Sequence, residues 1–103
     1  MRKKKKEYLS TYLLQETKIS RLKTMIKMNP EMKMSYEAEL NKALMVRQEI
    51  EKKILAVDGG ILSEVLFQKY VFGKTLEDIG YTLNYSIRHI ERLHVKALDL
   101  FEL

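Results

Sequence analysis

The stretch that begins at Gly73 constrains the fold most, because it carries start and stop signals for two short helices. Gly73 accepts the positive φ of a helix C-cap and therefore ends the segment before it. Thr75 is a typical N-cap, with Asp78 three residues later in the position of a capping box. Asn84 tolerates the left-handed conformation that closes a short turn, and Ser86 is the N-cap of the next helix. These signals predict two helices joined by a three-residue turn.

Apolar residues recur at intervals of three and four on both predicted helices, which is the spacing of an amphipathic helix. They are Leu76, Ile79 and Leu83 on the first helix and Ile90, Leu93, Ala97 and Leu100 on the second. Two short helices, a tight turn and a polar face on the second helix together predict a helix-turn-helix. This motif places its second helix in the major groove of DNA.

The N-terminal half carries a heptad seam along each of two predicted helices, 7–28 and 35–57. Asn29-Pro30 separates them, because the residue before proline avoids the helical conformation. The seam residues are Tyr8, Tyr12, Gln15, Ile19, Leu22 and Ile26 on the first helix and Tyr36, Leu40, Ala43, Arg47, Ile50 and Ile54 on the second. Antiparallel pairing aligns apolar with apolar residues and places Gln15 and Arg47 in one layer; alternatively, Arg47 snorkels and Gln15 faces water. The pattern predicts a coiled-coil-like antiparallel hairpin.

A hairpin of two long helices leaves apolar side chains uncovered. These are Leu9, Leu13, Leu14, Met25, Leu44, Met45 and Val46. Covering them requires the C-terminal helices or a second copy of the chain, so we expect a homodimer. Asp58-Gly59-Gly60 is predicted to end the second helix and to divide the chain into two domains, 1–58 and 61–103.

The net charge of +5 is unevenly distributed along the chain. Residues 1–58 hold 14 Lys and Arg against 8 Asp and Glu, a net +6, whereas residues 59–103 hold 5 against 6, a net −1. Five positive charges fall within residues 2–6. This run is either a frayed, solvated start or an arm that neutralises backbone phosphates, which adds salt-dependent affinity without sequence information.

Composition excludes several classes of protein. Because the chain contains no cysteine, it has neither disulfides nor a thiolate metal site. No apolar run approaches the roughly 20 residues of a membrane span, and polar residues interrupt the first apolar stretch too soon for a signal peptide. We therefore expect a cytoplasmic protein without membrane contact. His89 and His94 diverge on a helix, and no nucleophile arrangement or glycine-rich phosphate loop is present, so we expect no metal, no cofactor and no enzyme.

A gap-free pattern covers residues 62–100. It consists of Leu66, Tyr70, Gly73, Thr75-Leu76-Glu77-Asp78-Ile79-Gly80, Leu83, Ser86, Ile90 and Lys96-Ala97-Leu98. This pattern resembles region four of bacterial primary sigma factors, which reads the upstream promoter element. The small size and helical leader also resemble short phage and prophage regulators of Gram-positive bacteria, of the RinA and ArpU kind.

The apolar-rich stretch 61–72 is predicted to form a third helix, and the resemblance implies that it packs beneath the helix-turn-helix. The expected fold is thus all-α, with the N-terminal antiparallel hairpin followed by a sigma region-four-like three-helix domain. Its expected core is Leu66, Tyr70, Leu76, Ile79, Leu83, Ile90, Leu93 and Ala97. The apolar tail formed by Leu98, Leu100, Phe101 and Leu103 is expected to dock on the leader.

The last helix carries the candidate recognition residues. Arg88, Arg92 and Lys96 are spaced four apart and therefore share one face. With the positions that the sigma pattern implies, the DNA-binding candidates are Lys74, Thr75, Ser86, Ile87, Arg88, His89, Glu91, Arg92 and Lys96. Sigma factors carry an acidic residue and further basic residues at these positions, so their target sequence is not implied. The alternative is a solvated charged face, with Arg88 and Arg92 bonded to Glu91 or to nearby carboxylates.

The leading hypothesis is a sequence-specific regulator of transcription that binds double-stranded DNA, encoded by a phage or prophage. Two alternatives stay open. One is a protein-interaction module that contacts RNA polymerase, as sigma region four also does. The other is a DNA-packaging subunit that resembles the small subunit of a terminase. The operator sequence, the sign of regulation and the number of copies do not follow from the sequence.

Overall fold

The computed structural model of the protein describes residues 1–57 and 60–103, and these residues form helices and connecting turns without a strand. The prediction of an all-α fold is confirmed. The helices are α1 (Arg2–Met28), α2 (Lys33–Leu55), α3 (Ile61–Leu66), α4 (Leu76–Leu83) and α5 (Ile87–Leu100). A 3₁₀ turn at Pro30–Met32 precedes α2, and a π-helical segment at Phe67–Val71 continues α3. The molecule measures 51 × 26 × 21 Å.

Helix α1 begins at Arg2, so the predicted start near Glu7 is wrong; residues 2–6 are helical, and Lys3, Lys4 and Lys6 are exposed. The reason is a set of contacts with the end of α5. Arg2 Nε and Nη2 donate to the carboxylate of Asp99 at 2.8 and 3.1 Å. Lys5 Nζ donates to the carbonyl oxygens of Leu98 and Asp99 at 2.8 and 3.3 Å. A cation at a helix C-terminus is favourable because the last carbonyls carry partial negative charge.

Helices α1 and α2 lie side by side and run in opposite directions. Arg21 Nη2 contacts Glu39 at 3.5 Å near the connection between them. Farther along, Arg47 Nη1 donates to Glu16 Oε1 at 2.6 Å. This ion pair gives Arg47 a carboxylate partner that sequence reasoning missed, one residue beyond Gln15.

Near the other end of this helix pair, the Tyr12 hydroxyl donates to Glu51 at 3.0 Å. Burial, followed by this hydrogen bond, raises the pKa of Tyr12 to about 12. The phenol therefore stays protonated and keeps donating at any pH near neutrality.

One hydrophobic cluster joins the leader to the C-terminal helices. Its buried members are Leu9, Tyr12, Ile50, Ile54, Val57, Leu62, Leu66, Tyr70, Ala97, Leu98 and Phe101. Phe101 is fully buried, with its ring centroid 6.0 Å from that of Tyr8. The expectation that the apolar tail docks on the leader is confirmed for Leu98 and Phe101, whereas Leu100 and Leu103 remain exposed.

A second cluster lies between α3, α4 and α5. Val65, Ile79 and Ile90 are buried in it, and Leu76, Leu83 and Leu93 are partly buried against it. Together the two clusters contain the whole predicted core of the C-terminal segment. The predicted stop at Asp58-Gly59 lies outside the described residues; Gly60, which follows it, has a φ of 55°.

Several apolar residues of the leader remain at the surface. Leu13, Leu14, Met45 and Val46 are between 38% and 69% exposed, whereas Leu9 is buried against the C-terminal helices. In the described ranges no helix is both long enough and apolar enough to cross a membrane.

Candidate nucleic-acid interface

The two predicted helix caps are both formed. Thr75 Oγ1 accepts a hydrogen bond from the backbone N–H of Asp78 at 3.1 Å, at the start of α4. Ser86 Oγ accepts from the N–H of His89 at 3.2 Å, at the start of α5. Before α4, Gly73 has a φ of 69°, as its predicted role as a C-cap requires.

The turn between α4 and α5 closes on itself through backbone hydrogen bonds. Asn84 adopts the predicted left-handed conformation, with φ 61°. Its N–H lies 3.4 Å from the oxygen of Tyr81, and the N–H of Tyr85 donates to the oxygen of Gly80 at 2.8 Å. This pair of bonds is a Schellman motif, which satisfies the last carbonyls of α4.

Gly80 allows α4 to approach the turn closely. A Cβ at this position would lie 2.8 Å from the backbone oxygen of Tyr85 and 3.6 Å from Cγ1 of Ile90. Any side chain larger than hydrogen would push the turn and α5 away from α4. The direction of α5 relative to α4 therefore depends on this glycine.

The outer face of α5 presents three cations. Arg88, Arg92 and Lys96 are all exposed. Among the described residues, no carboxylate oxygen lies within 4.0 Å of a side-chain nitrogen of Arg88 or Arg92, so neither arginine forms an ion pair with Glu91. Arg92 and Lys96 border a shallow groove of about 440 Å³ on this face, which Glu91 and Asp99 also line. Of the alternative, the ion pairs of Arg88 and Arg92 with Glu91 or other carboxylates are not formed among the described residues, whereas the solvated charged face is what the structure has.

The first turn of α5 differs from its outer face. The ring of His89 stacks on that of Tyr85, with centroids 4.4 Å apart and an angle of 35° between the planes. His89 is half-buried as a result, whereas Ile87 remains 41% exposed. Beside the exposed Arg88, this turn offers the imidazole edge of His89 and the methyl groups of Ile87 to a partner.

The inner face of α5 contains a buried polar pair that sequence reasoning missed. The hydroxyl of Tyr70 and Nε2 of His94 lie 2.8 Å apart, and His94 is only 5% exposed. Burial, together with the positive charges of Lys69 and Lys6, lowers the pKa of His94 to about 4. The available signal was position, because His94 follows Ile90 by four residues and shares its apolar face.

Lys74 and Thr75 are surrounded by different residues from the candidates on α5. They border a cavity of about 360 Å³ together with Lys6 of α1 and Lys69 of the π-helical segment. The sequence pattern gave no signal for this juxtaposition, because the three lysines come from segments far apart in the chain.

The nine candidates thus fall into two groups. One group belongs to α5 and its cap: Ser86, Ile87, Arg88, His89, Glu91, Arg92 and Lys96. The other group is Lys74 and Thr75, which border the same cavity as Lys6 and Lys69. In the part of the chain that the structure describes, no three His, Cys, Asp or Glu side chains come together as a metal site would require. The role of each candidate in DNA binding stays a prediction.

Comparisons of the chain with protein-family models, with curated proteins and with solved structures find no match.

Proposed function

We propose that this chain is a sequence-specific regulator of transcription that binds double-stranded DNA, encoded by a phage or prophage and acting in the cytoplasm. In this proposal α4 and α5 are the helix-turn-helix of a sigma region-four-like domain, with α3 beneath them. Helices α1 and α2 are a coiled-coil-like hairpin that serves oligomerisation or contact with another protein. Helix α5 lies in the major groove.

The observation that carries this proposal is the cationic outer face of α5. Arg88, Arg92 and Lys96 are exposed, spaced about one helical turn apart, and have no carboxylate partner among the described residues. A guanidinium bonds two acceptors of guanine at once, and either type of cation can neutralise a phosphate.

The turn geometry supports the same reading. Gly80 and Asn84 fix a compact connection, so the first turn of α5 packs Ile90 against α4 and leaves Ile87 and Arg88 exposed. A recognition helix contacts bases with its N-terminal residues, and Ile87 and Arg88 are exposed at that end of α5.

The leader supplies the electrostatic attraction that residues 59–103, with a net charge of −1, do not. Arg2 and Lys5 hold the end of α5, but Lys3, Lys4 and Lys6 are exposed on the same helix. Non-specific affinity for DNA should therefore depend on Lys3, Lys4 and Lys6, whereas sequence preference should depend on α5.

The test begins with selection of bound duplexes from a random pool, followed by anisotropy titration of the selected duplex. Arg88→Ala and Arg92→Ala should each weaken binding by about 1–3 kcal/mol if the arginine contacts guanine, and should relax the preference at one base position. Arg21→Ala is the matched control, since Arg21 is an exposed arginine of α1 far along the chain from α5.

The proposal is wrong if the wild-type protein selects no sequence and binds no duplex at low salt. It is also wrong if both α5 variants bind the selected duplex as tightly as the Arg21 control. Circular dichroism of each variant establishes that the helices are intact.

A second candidate function is contact with a protein such as RNA polymerase. Tyr81 is 91% exposed, and with Tyr85, Ile87 and the acidic Glu77 and Asp78 it lines a groove of about 470 Å³ at the turn. An aromatic surface beside carboxylates repels phosphate but suits a protein. Retention of the chain on polymerase at high salt, lost on Tyr81→Ser, would favour this function over DNA binding.

A homodimer belongs to the main proposal. The exposed apolar residues Leu13, Leu14, Met45 and Val46 of α1 and α2 are the surface that a second copy would cover. Sedimentation equilibrium measures the number of copies directly.

A further inference from the structure

We propose that Lys6, Lys69 and Lys74 form a binding site for one phosphate group, which in the DNA complex is a backbone phosphodiester. This inference rests on the proposed function for the identity of the phosphate but not for the existence of the site. The hydroxyls of Ser10 and Thr75 line the same cavity. We call these five residues the lysine cleft.

The lysine cleft is assembled from three separate segments. Helix α1 contributes Lys6 and Ser10, the π-helical segment contributes Lys69, and the loop before α4 contributes Lys74 and Thr75. Its volume of about 360 Å³ is many times the roughly 30 Å³ that a water molecule occupies in the liquid. A phosphate group therefore fits with part of its hydration.

Positive charge in the lysine cleft is not compensated by the protein. Among the described residues no carboxylate lies within 4.0 Å of the ammonium of Lys6, Lys69 or Lys74. Three like charges around one cavity repel one another, and an anion between them removes that repulsion. The same excess of positive charge acts on the neighbouring His94, whose pKa falls through burial and then through Lys69 and Lys6.

The local backbone holds the lysines of the C-terminal segment in place. The N–H of Phe72 donates to the oxygen of Phe67 at 3.1 Å, and the N–H of Lys74 donates to the oxygen of Gln68 at 3.0 Å. These bonds tie the loop before α4 back onto the π-helical segment. Lys69 also lies 5.8 Å from the ring centroid of Tyr70, within the range of a cation–π contact.

Thr75 adds a directed donor. Its oxygen accepts the capping bond from Asp78, and a hydroxyl that accepts one bond still carries a hydrogen to donate. The hydroxyl therefore can donate to a phosphate oxygen without loss of the cap. The chemistry of the lysine cleft, three ammonium groups and hydroxyl donors, suits a phosphate oxygen and carries no means of reading a base.

The test compares Lys6→Gln/Lys69→Gln with the control Lys42→Gln/Lys52→Gln, which removes the same charge from α2. Binding of a fixed duplex is titrated at several salt concentrations. Loss of one phosphate contact should reduce the slope of log K against log salt by about 0.9 and weaken binding about 8-fold near 0.1 M salt. The control and the base preference of both variants should match the wild type.

A second measurement does not depend on DNA. Inorganic phosphate, titrated against chloride at equal ionic strength, should shift the backbone amide resonances of Gly73, Lys74 and Thr75 in the wild-type protein but not in the cleft variant. If the double variant does not fold, Lys6→Gln alone serves, because Lys6 is exposed and its removal leaves the core intact.

The outcomes separate the two proposals. If the wild type binds no duplex but phosphate shifts these amides, the lysine cleft stands with a free phosphate compound as its ligand, and the proposed function fails. If duplex binds and the cleft variant has the slope of the control, the lysine cleft is refuted while the proposed function stands. If phosphate shifts no amide and no slope changes, the site does not exist.

Discussion

Acidification should destabilise this fold through His94. Its folded pKa of about 4 lies below the ordinary value of 6.5, so the unfolded chain takes up the proton first as the pH falls. The contribution that neutral His94 makes to the free energy of unfolding is complete above pH 6.5 and is lost progressively between pH 6.5 and pH 4. At about pH 5, some 1.5 pH units below the unfolded pKa, the loss is about 2 kcal/mol at 1.36 kcal/mol per unit.

The physical cause is the environment of the imidazole. A proton on His94 would have to be accommodated at a side chain that is 5% exposed, beside Tyr70 and close to Lys69 and Lys6. The hydroxyl of Tyr70 does not compensate, because burial raises its pKa to about 12 and it remains neutral. Nothing in this contact favours the charged ring.

Urea unfolding at about pH 7.5 and about pH 5 measures the effect. His94→Gln keeps a polar group that can bond to the Tyr70 hydroxyl but has no proton to titrate in this range. The free energy of unfolding of this variant should therefore change by about 2 kcal/mol less than that of the wild type over the same pH interval. His89→Gln removes the other histidine and leaves the Tyr70–His94 contact in place, so the wild-type loss should persist.

Two results would refute this reasoning. One is the same pH dependence in the wild type and in His94→Gln. The other is a ring-proton resonance of His94 that titrates above pH 6 in the folded protein, since a buried neutral imidazole should show constant shifts down to about pH 5.

Three further predictions concern Gly80, Ser86 and Arg2. Gly80→Ala should lower the free energy of unfolding by about 1–3 kcal/mol in urea titration, because the new Cβ would lie 2.8 Å from the oxygen of Tyr85; an unchanged midpoint would contradict the close approach. Ser86→Ala should lower it by about 1 kcal/mol through loss of the bond to His89 N–H, whereas Ser86→Asp, which can cap, should not. In Arg2→Ala the pKa of the Asp99 carboxyl, which the hydrogen bond and charge of Arg2 lower, should return toward its ordinary value in a carbon-detected NMR titration; a pKa that stays low would rule out this pairing in solution.

The helix caps and the turn between α4 and α5 could be predicted from the sequence because each depends on residues only a few positions apart. Thr75 and Ser86 cap helices whose N–H groups lie three positions away, and Asn84 adopts a backbone conformation set by its own chemistry. The buried faces followed from spacing for the same reason. Residues such as Ile79 and Ile90 need only an amphipathic helix and a neighbour to pack against.

Features that depend on residues distant in the sequence could not be predicted. The start of α1 at Arg2 is stabilised by Asp99, almost the whole chain away. The Tyr70–His94 pair and the approach of Lys6 to Lys69 likewise arise only when α1, α3 and α5 pack together. The π-helical segment has no local signature in the sequence, since residues 61–72 carry the apolar content of an ordinary α-helix.

Closure of the main cluster by Phe101 has a consequence for biosynthesis. The ring of Phe101 and the side chain of Leu98 cover Leu9 and residues of α2 and α3 that were made long before them. A nascent chain in which residues 98–101 are still within the ribosome can form the contacts between α1 and α2, but it cannot complete this cluster. This cluster can therefore be completed only after residue 101 has left the exit tunnel. Until then the apolar side chains that Leu98 and Phe101 cover, such as Leu9, remain accessible to chaperones.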